Sequence, residues 1–115
     1  GEITVRTLVR HALRLRPDRI VVGEVRGPEA FDLIQAMSTG HDGSMGTVHA
    51  NGPEEALWRL ETLALTGARV PEEAVRRMLR GAVHTVVHLR RSGSTRSVAS
   101  ISRLVQSELV EVWAC

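Results

Sequence analysis

Lysine is missing altogether: all fifteen cationic residues of this 115-residue chain are arginines. The commonest loop for gripping a nucleotide's outer phosphates needs a lysine. No G-x-x-x-x-G-K-[ST] string is present either, so these residues do not contain that loop. Tyrosine is absent, and the aromatics are two Trp and one Phe. The core must therefore come from Leu, Val, Ile, Ala and Met, and the stacking platforms that hold single-stranded nucleic acid are not available. Thirteen acids nearly balance the arginines, leaving a net charge of +2. That is too little to argue for nucleic acid, and none is expected as a direct partner. Cysteine occurs once, as Cys115, so there is no disulfide framework and a reducing compartment is indicated. No apolar run reaches spanning length and no signal peptide is evident. A soluble cytoplasmic protein is expected. Gly1-Glu2-Ile3 leads straight into a periodic segment, as in a piece excised from something longer.

The length suits one small domain with a single core. Residues 4–16 predict a helix, with Thr4 or Thr7 as cap and Pro17 as stop. Arg6, Arg10 and Arg14 recur every four residues on one face of it. Residues 19–25 form a β-branched run, apolar on both faces, as in a buried parallel strand. Pro28 and Glu29 open a helix over about 28–39, which Gly40 closes. Residues 44–50 read as the next strand, with Asn51-Gly52 turning the chain. Helices follow over about 53–66 and 71–82. Strands are expected at 83–90, 97–105 and 109–113, linked at Ser92-Gly93-Ser94 and Ser107-Glu108. The alternating first half implies parallel strands with helices packed on them, an α/β fold.

Two strings carry chemistry. In Ile20-Val21-Val22-Gly23-Glu24-Val25-Arg26-Gly27 an acid sits at the C-terminal end of a buried strand, where ligands bind in open α/β sheets. Glu24 is either a solvated strand-end acid or a carboxylate that orients water against a phosphate. In Gly40-His41-Asp42-Gly43-Ser44-Met45-Gly46-Thr47-Val48-His49-Ala50 two histidines flank a glycine-rich turn, where backbone can approach a ligand closely. Each imidazole is a structural histidine or a donor to phosphate or a neighbouring side chain. A metal is not expected. His41 and His49 have no cysteine partner nearby, and His84 and His88 would lie about 13 Å apart along a strand. The arginine stripe is a solvated basic face, or one of its members reaches a phosphate.

The run from Leu8 through Arg10, Arg14, Arg16-Pro17-Asp18-Arg19 and Ile20–Gly27 to Glu29-Ala30-Phe31-Asp32 resembles the secretion ATPases of type II and type IV systems. Thr39-Gly40-His41-Asp42-Gly43-Ser44 and Thr47-Val48-His49-Ala50-Asn51 resemble their histidine box. The wording is nearest to the branch that powers tight-adherence (Flp) pili, specific to about residue 65 and looser beyond. The resemblance implies the C-terminal portion of a RecA-like P-loop NTPase core, with residues 1–115 as one domain. Its sheet would be mostly parallel, with flanking helices and a small C-terminal antiparallel strand group. The phosphate loop and N-terminal domain would lie outside it, leaving the chain alone inactive. Carried over by position, Glu24 is the catalytic Walker B acid, and Gly23 stands where many ATPases have an Asp. His41 and His49 are the histidine-box pair, assigned to catalysis, with Thr47 beside them. Arg10, Arg14 and Arg26 fall near the phosphates. ATP and Mg²⁺ are the implied cofactors. The implied assembly is a homo-hexamer, peripheral to the cytoplasmic side of the inner membrane, with an inner-membrane platform protein as partner. It would assemble pilin or move substrate. The alternative is a non-catalytic module serving ring assembly or partner binding.

Overall fold

Thr4 sets the first helix. Its hydroxyl accepts the Thr7 N–H at 3.1 Å, satisfying a donor that a helix start leaves open. Helix α1 then runs Val5–Arg14 in the computed structural model, which describes residues 3–115. It ends before Pro17, and Arg16 turns the chain with φ 54°. The arginine stripe is not simply a solvated face. Arg6 Nε lies 2.7 Å from Asp32 Oδ2, and Arg6 Nη2 donates to the Gly67 carbonyl at 2.6 Å. Arg10 Nε donates to the same carboxylate at 3.2 Å. Asp32 is 5% exposed, so one buried acid fastens α1 to the helix that carries it.

That helix, α2, spans Glu29–Ser38. Its own first acid closes the start: Glu29 Oε1 accepts the N–H groups of Arg26 at 2.8 Å and Gly27 at 3.1 Å. Helices α3 (Pro53–Leu65) and α4 (Glu72–Ala82) follow. The buried carboxylate of Glu61 on α3 meets Arg76 of α4 at 3.0 Å. The core lies among these helices, with Leu33, Ile34, Leu57, Val75 and Leu79 almost wholly buried.

The sheets depart from the mostly parallel arrangement expected. Strands β1 (Val21–Val22) and β2 (Met45–Gly46) pair in parallel, Val21 opposite Met45 and Val22 opposite Gly46. Backbone bonds from Met45 to Ile20 (2.9 Å) and from Val25 to Thr47 (2.8 Å) carry the pairing one step further at each end. The strands read over 19–25 and 44–50 thus shrink to two residues each. The larger sheet is antiparallel: β3 (Thr85–Ser92), β4 (Thr95–Val105) and β5 (Glu108–Ala114), in that order. Parallel strands are held by neighbours and by helices on both faces. Among the described residues β1 and β2 have only each other, and only one face is covered: Val22 is buried while Val21 is 67% exposed. The apolar content of 19–25 therefore does not make a doubly buried strand here.

Candidate functional site

The end of β1 aims the site. Val22 and Val25 anchor the backbone in the core, and Glu24, between them in sequence, projects outward with its side chain 30% exposed. Close approach of β2 fixes the second wall. A Cβ added at Gly46 would fall 2.8 Å from Leu33 Cδ2 and 3.2 Å from Val25 Cγ2, so only glycine lets the strand lie this near α2. Three residues later the chain presents His49. Its Nε2 lies 2.7 Å from Glu24 Oε1, and Arg26 Nη2 lies 2.8 Å from Glu24 Oε2. One carboxylate is thus held between an imidazole and a guanidinium.

This arrangement has an electrostatic consequence. Hydrogen bonding from Arg26 holds the Glu24 carboxyl below its ordinary value. Desolvation opposes that shift, while the charges of Arg26 and His49 add to it. Arg26 is raised in turn by the same bond. Glu24 is therefore a firm carboxylate at neutral pH. A carboxylate offers about four lone-pair positions, so two donors still leave it able to accept from a water. A carboxylate with a lowered pKa is a poor store for a proton and a good fixed acceptor. That suits orienting a nucleophilic water more than removing its proton outright.

An open cleft of about 380 Å³ lies against this group, lined by Glu24, Val25, Arg26, Val48, His49, Arg59 and Leu63. The two strings singled out in the sequence, one helix apart, do meet there through Glu24, Arg26 and His49. The other residues named in advance lie elsewhere or take other parts. Gly23 follows β1 with nothing within 4 Å of an added Cβ, so a larger residue has room there. Thr47 contributes its carbonyl, which accepts the Val25 N–H, while its side chain is exposed. His41 sits on the loop before β2, where its carbonyl accepts the Ser44 hydroxyl at 2.7 Å. Its Nδ1 is buried with no hydrogen-bond partner among the described residues. Arg10 is bound to Asp32, and Arg14 lines a shallow groove on α1 with Thr7, Arg10 and His11. Arg59 is the residue the sequence reading passed over. Its only signal was the Glu55–Arg59 spacing of four on one helix face, which looks like an ordinary surface pair.

Comparison with known proteins follows the same lines. The model of the family described as "Type II/IV secretion system protein" matches residues 1–112. A putative conjugal transfer protein of Mycobacterium tuberculosis is 49% identical over 118 residues, covering 98% of this chain and 33% of that protein. The type IV secretion system protein VirB11 of Brucella suis is 40% identical over 90 residues, 76% of this chain and 25% of that protein. The crystal structure of the VirB11 ATPase from the Brucella suis type IV secretion system, in complex with sulphate, superposes with a TM-score of 0.78. The identity there is 36%, over 88% of this chain and 32% of that one. The chain thus spans about a third or less of the length of the relatives it matches.

Proposed function

The chain belongs to the family of type II/IV secretion system proteins, and from that premise we propose that it is the hydrolytic portion of an ATP-driven secretion motor. Glu24 holds the attacking water, His49 and Arg26 fix the carboxylate that does so, and the neighbouring cleft receives the γ-phosphate. ATP and Mg²⁺ would be gripped by a phosphate loop supplied outside these residues, in a complete RecA-like core. When bound, the ion neutralises charge developing on the transferred phosphoryl group. The residues of this chain supply the rest: an oriented acceptor for water and positive groups around the oxygens. Phosphoryl transfer asks for little covalent help, so this set suffices.

The observation that carries the reading is the fixed carboxylate. Glu24 stands at the C-terminal end of a parallel strand, with one oxygen on His49 and the other on Arg26, beside an open cleft. A solvated strand-end acid has no need of two side-chain holders. The remaining assignments, His41, Thr47, Gly23, Arg10 and Arg14, belong to this proposal by motif position. At the scale of the assembly, the motor is a homo-hexamer on the cytoplasmic face of the inner membrane, working against a platform protein there. Its turnover assembles pilin or translocates substrate.

The test is Glu24→Gln in a complete motor polypeptide that carries this chain together with a phosphate loop. Gln keeps the size and one acceptor but loses the charge. ATP binding should survive, and steady-state turnover should drop by roughly 10²-fold or more, as for loss of a group that positions the nucleophile. Turnover near the parent value removes Glu24 from the reaction and leaves the module as a part for assembly or partner binding.

A further inference from the structure

We propose that Arg59 of α3 is a phosphate-holding residue of the cleft beside Glu24, taking an oxygen of a pyrophosphate-like group through its guanidinium fork. The proposal rests on the reading that this cleft receives a nucleotide's phosphates. Three groups of positive character line the cleft: Arg26, His49 and Arg59. The first two already serve Glu24, at 2.8 and 2.7 Å. Arg59 is different. Its ion-pair contact is with Glu55 Oε1, at 3.6 Å. That is beyond the 2.7–2.9 Å of a charge-assisted hydrogen bond. Glu55 has a second duty, since its Oε2 accepts the Asn51 N–H at 2.9 Å and so steadies the loop after His49. Arg59 therefore faces the cleft with most of its five donors unspent.

The surroundings favour an anion at this place. Two arginines and a histidine line the cleft against one carboxylate, and the Glu55 that offsets Arg59 lies outside the lining. Leu63, one turn further along α3, joins Val25 and Val48 in the apolar part of the lining. The flat guanidinium also suits a phosphate's paired oxygens better than a point charge does. Helix α3 thereby adds a second arginine to the lining besides Arg26, with Glu55 as its counter-ion.

Inorganic pyrophosphate titrated into a complete motor polypeptide that carries this chain tests this, followed by the arginine Nε–H resonances. The Arg59 signal should shift and saturate, while that of the exposed Arg77 on α4 stays nearly still. Arg59→Ala should weaken binding at least tenfold, and Arg59→Lys should recover part of it. Glu55→Gln keeps an acceptor for Asn51 and removes the competing charge, so it should tighten binding. Thermal melts of the variants report the fold, which a half-exposed side chain should not disturb. The proposal is overturned if Arg77 shifts as much as Arg59, or if Arg59→Ala binds as tightly as the parent. The outcome separates cleanly from that of Glu24→Gln. Normal turnover in that variant with a responsive Arg59 sinks the hydrolytic role alone. Lost turnover with a silent Arg59 sinks only this inference.

Discussion

At the scale of single residues, the site is one carboxylate and its two holders. The bond from Arg26 lowers the Glu24 pKa, so the linkage has a definite sign. A group lowered in the folded state contributes stability above the ordinary glutamate value and loses it as pH falls through the lowered one. Arg26→Ala should raise the midpoint of the Glu24 carboxyl titration toward the ordinary value. It should also weaken the fold's dependence on pH in that acid window. Carbon-13 titration of the Glu24 side chain in both proteins measures this directly. An unmoved midpoint means that Arg26 is not the group holding Glu24. The sequence made Glu24 and His49 legible because their strings are rich in small and β-branched residues with one acid and one imidazole each. It could not show that His41, eight residues before His49, sits on the loop before β2 with its Nδ1 buried. It could not show that Arg10 spends its charge on Asp32 either, because a stripe on one helix says nothing of the acid on the next. Arg59 was hidden for the opposite reason: its spacing from Glu55 is that of a common surface pair, and only the fold of α3 brings it beside Glu24.

At the scale of elements, the four helices were readable almost to the residue, since each start or stop is marked by Thr4, Pro17, Pro28, Gly40, Pro53 or Pro71. Strand lengths were not readable, because a strand's extent depends on partners that local sequence does not specify. The hairpin between β4 and β5 shows a finer case. The link was expected at Ser107-Glu108, yet the two turn residues are Gln106 and Ser107, with φ 51° and 69°. Both central residues at positive φ are the mark of a type I′ turn, which prefers Asn-Gly. A non-glycine residue in this region costs about 1 kcal/mol. The turn satisfies the strand twist with the wrong residues for it. Replacing Gln106→Asn and Ser107→Gly together should therefore stabilise the domain by about 1 kcal/mol. Urea unfolding should show a later midpoint with an unchanged slope. An earlier midpoint would mean that the turn is not of this type.

At the scale of the whole molecule, the most informative surface is the outer face of the antiparallel sheet. Register places Val87, Ile101 and Trp113 side by side across β3, β4 and β5. Val87 is 52% and Trp113 47% exposed, while Ser102, the neighbour of Ile101 in β4, is buried on the other face. The paired Val21 and Met45 of β1 and β2 are exposed as well. Exposed apolar rows of this kind drive association unless something covers them. Charge works against that, because residues 74–107 contain seven arginines and no acid. Arg90, Arg91, Arg96 and Arg103 lie on β3 and β4 themselves, against Glu108 and Glu111 on β5, so the sheet remains net positive. Two copies meeting through this sheet would bring like charges together, and salt screens such repulsion within about 10 Å at 0.1 M. The chain by itself should therefore self-associate with rising concentration, and more strongly at high salt than at low. Trp113→Ser combined with Val87→Thr should abolish the effect while leaving the helical core intact, as read by sedimentation and circular dichroism. Association that weakens as salt is added would assign the contact to ion pairs and not to this apolar face.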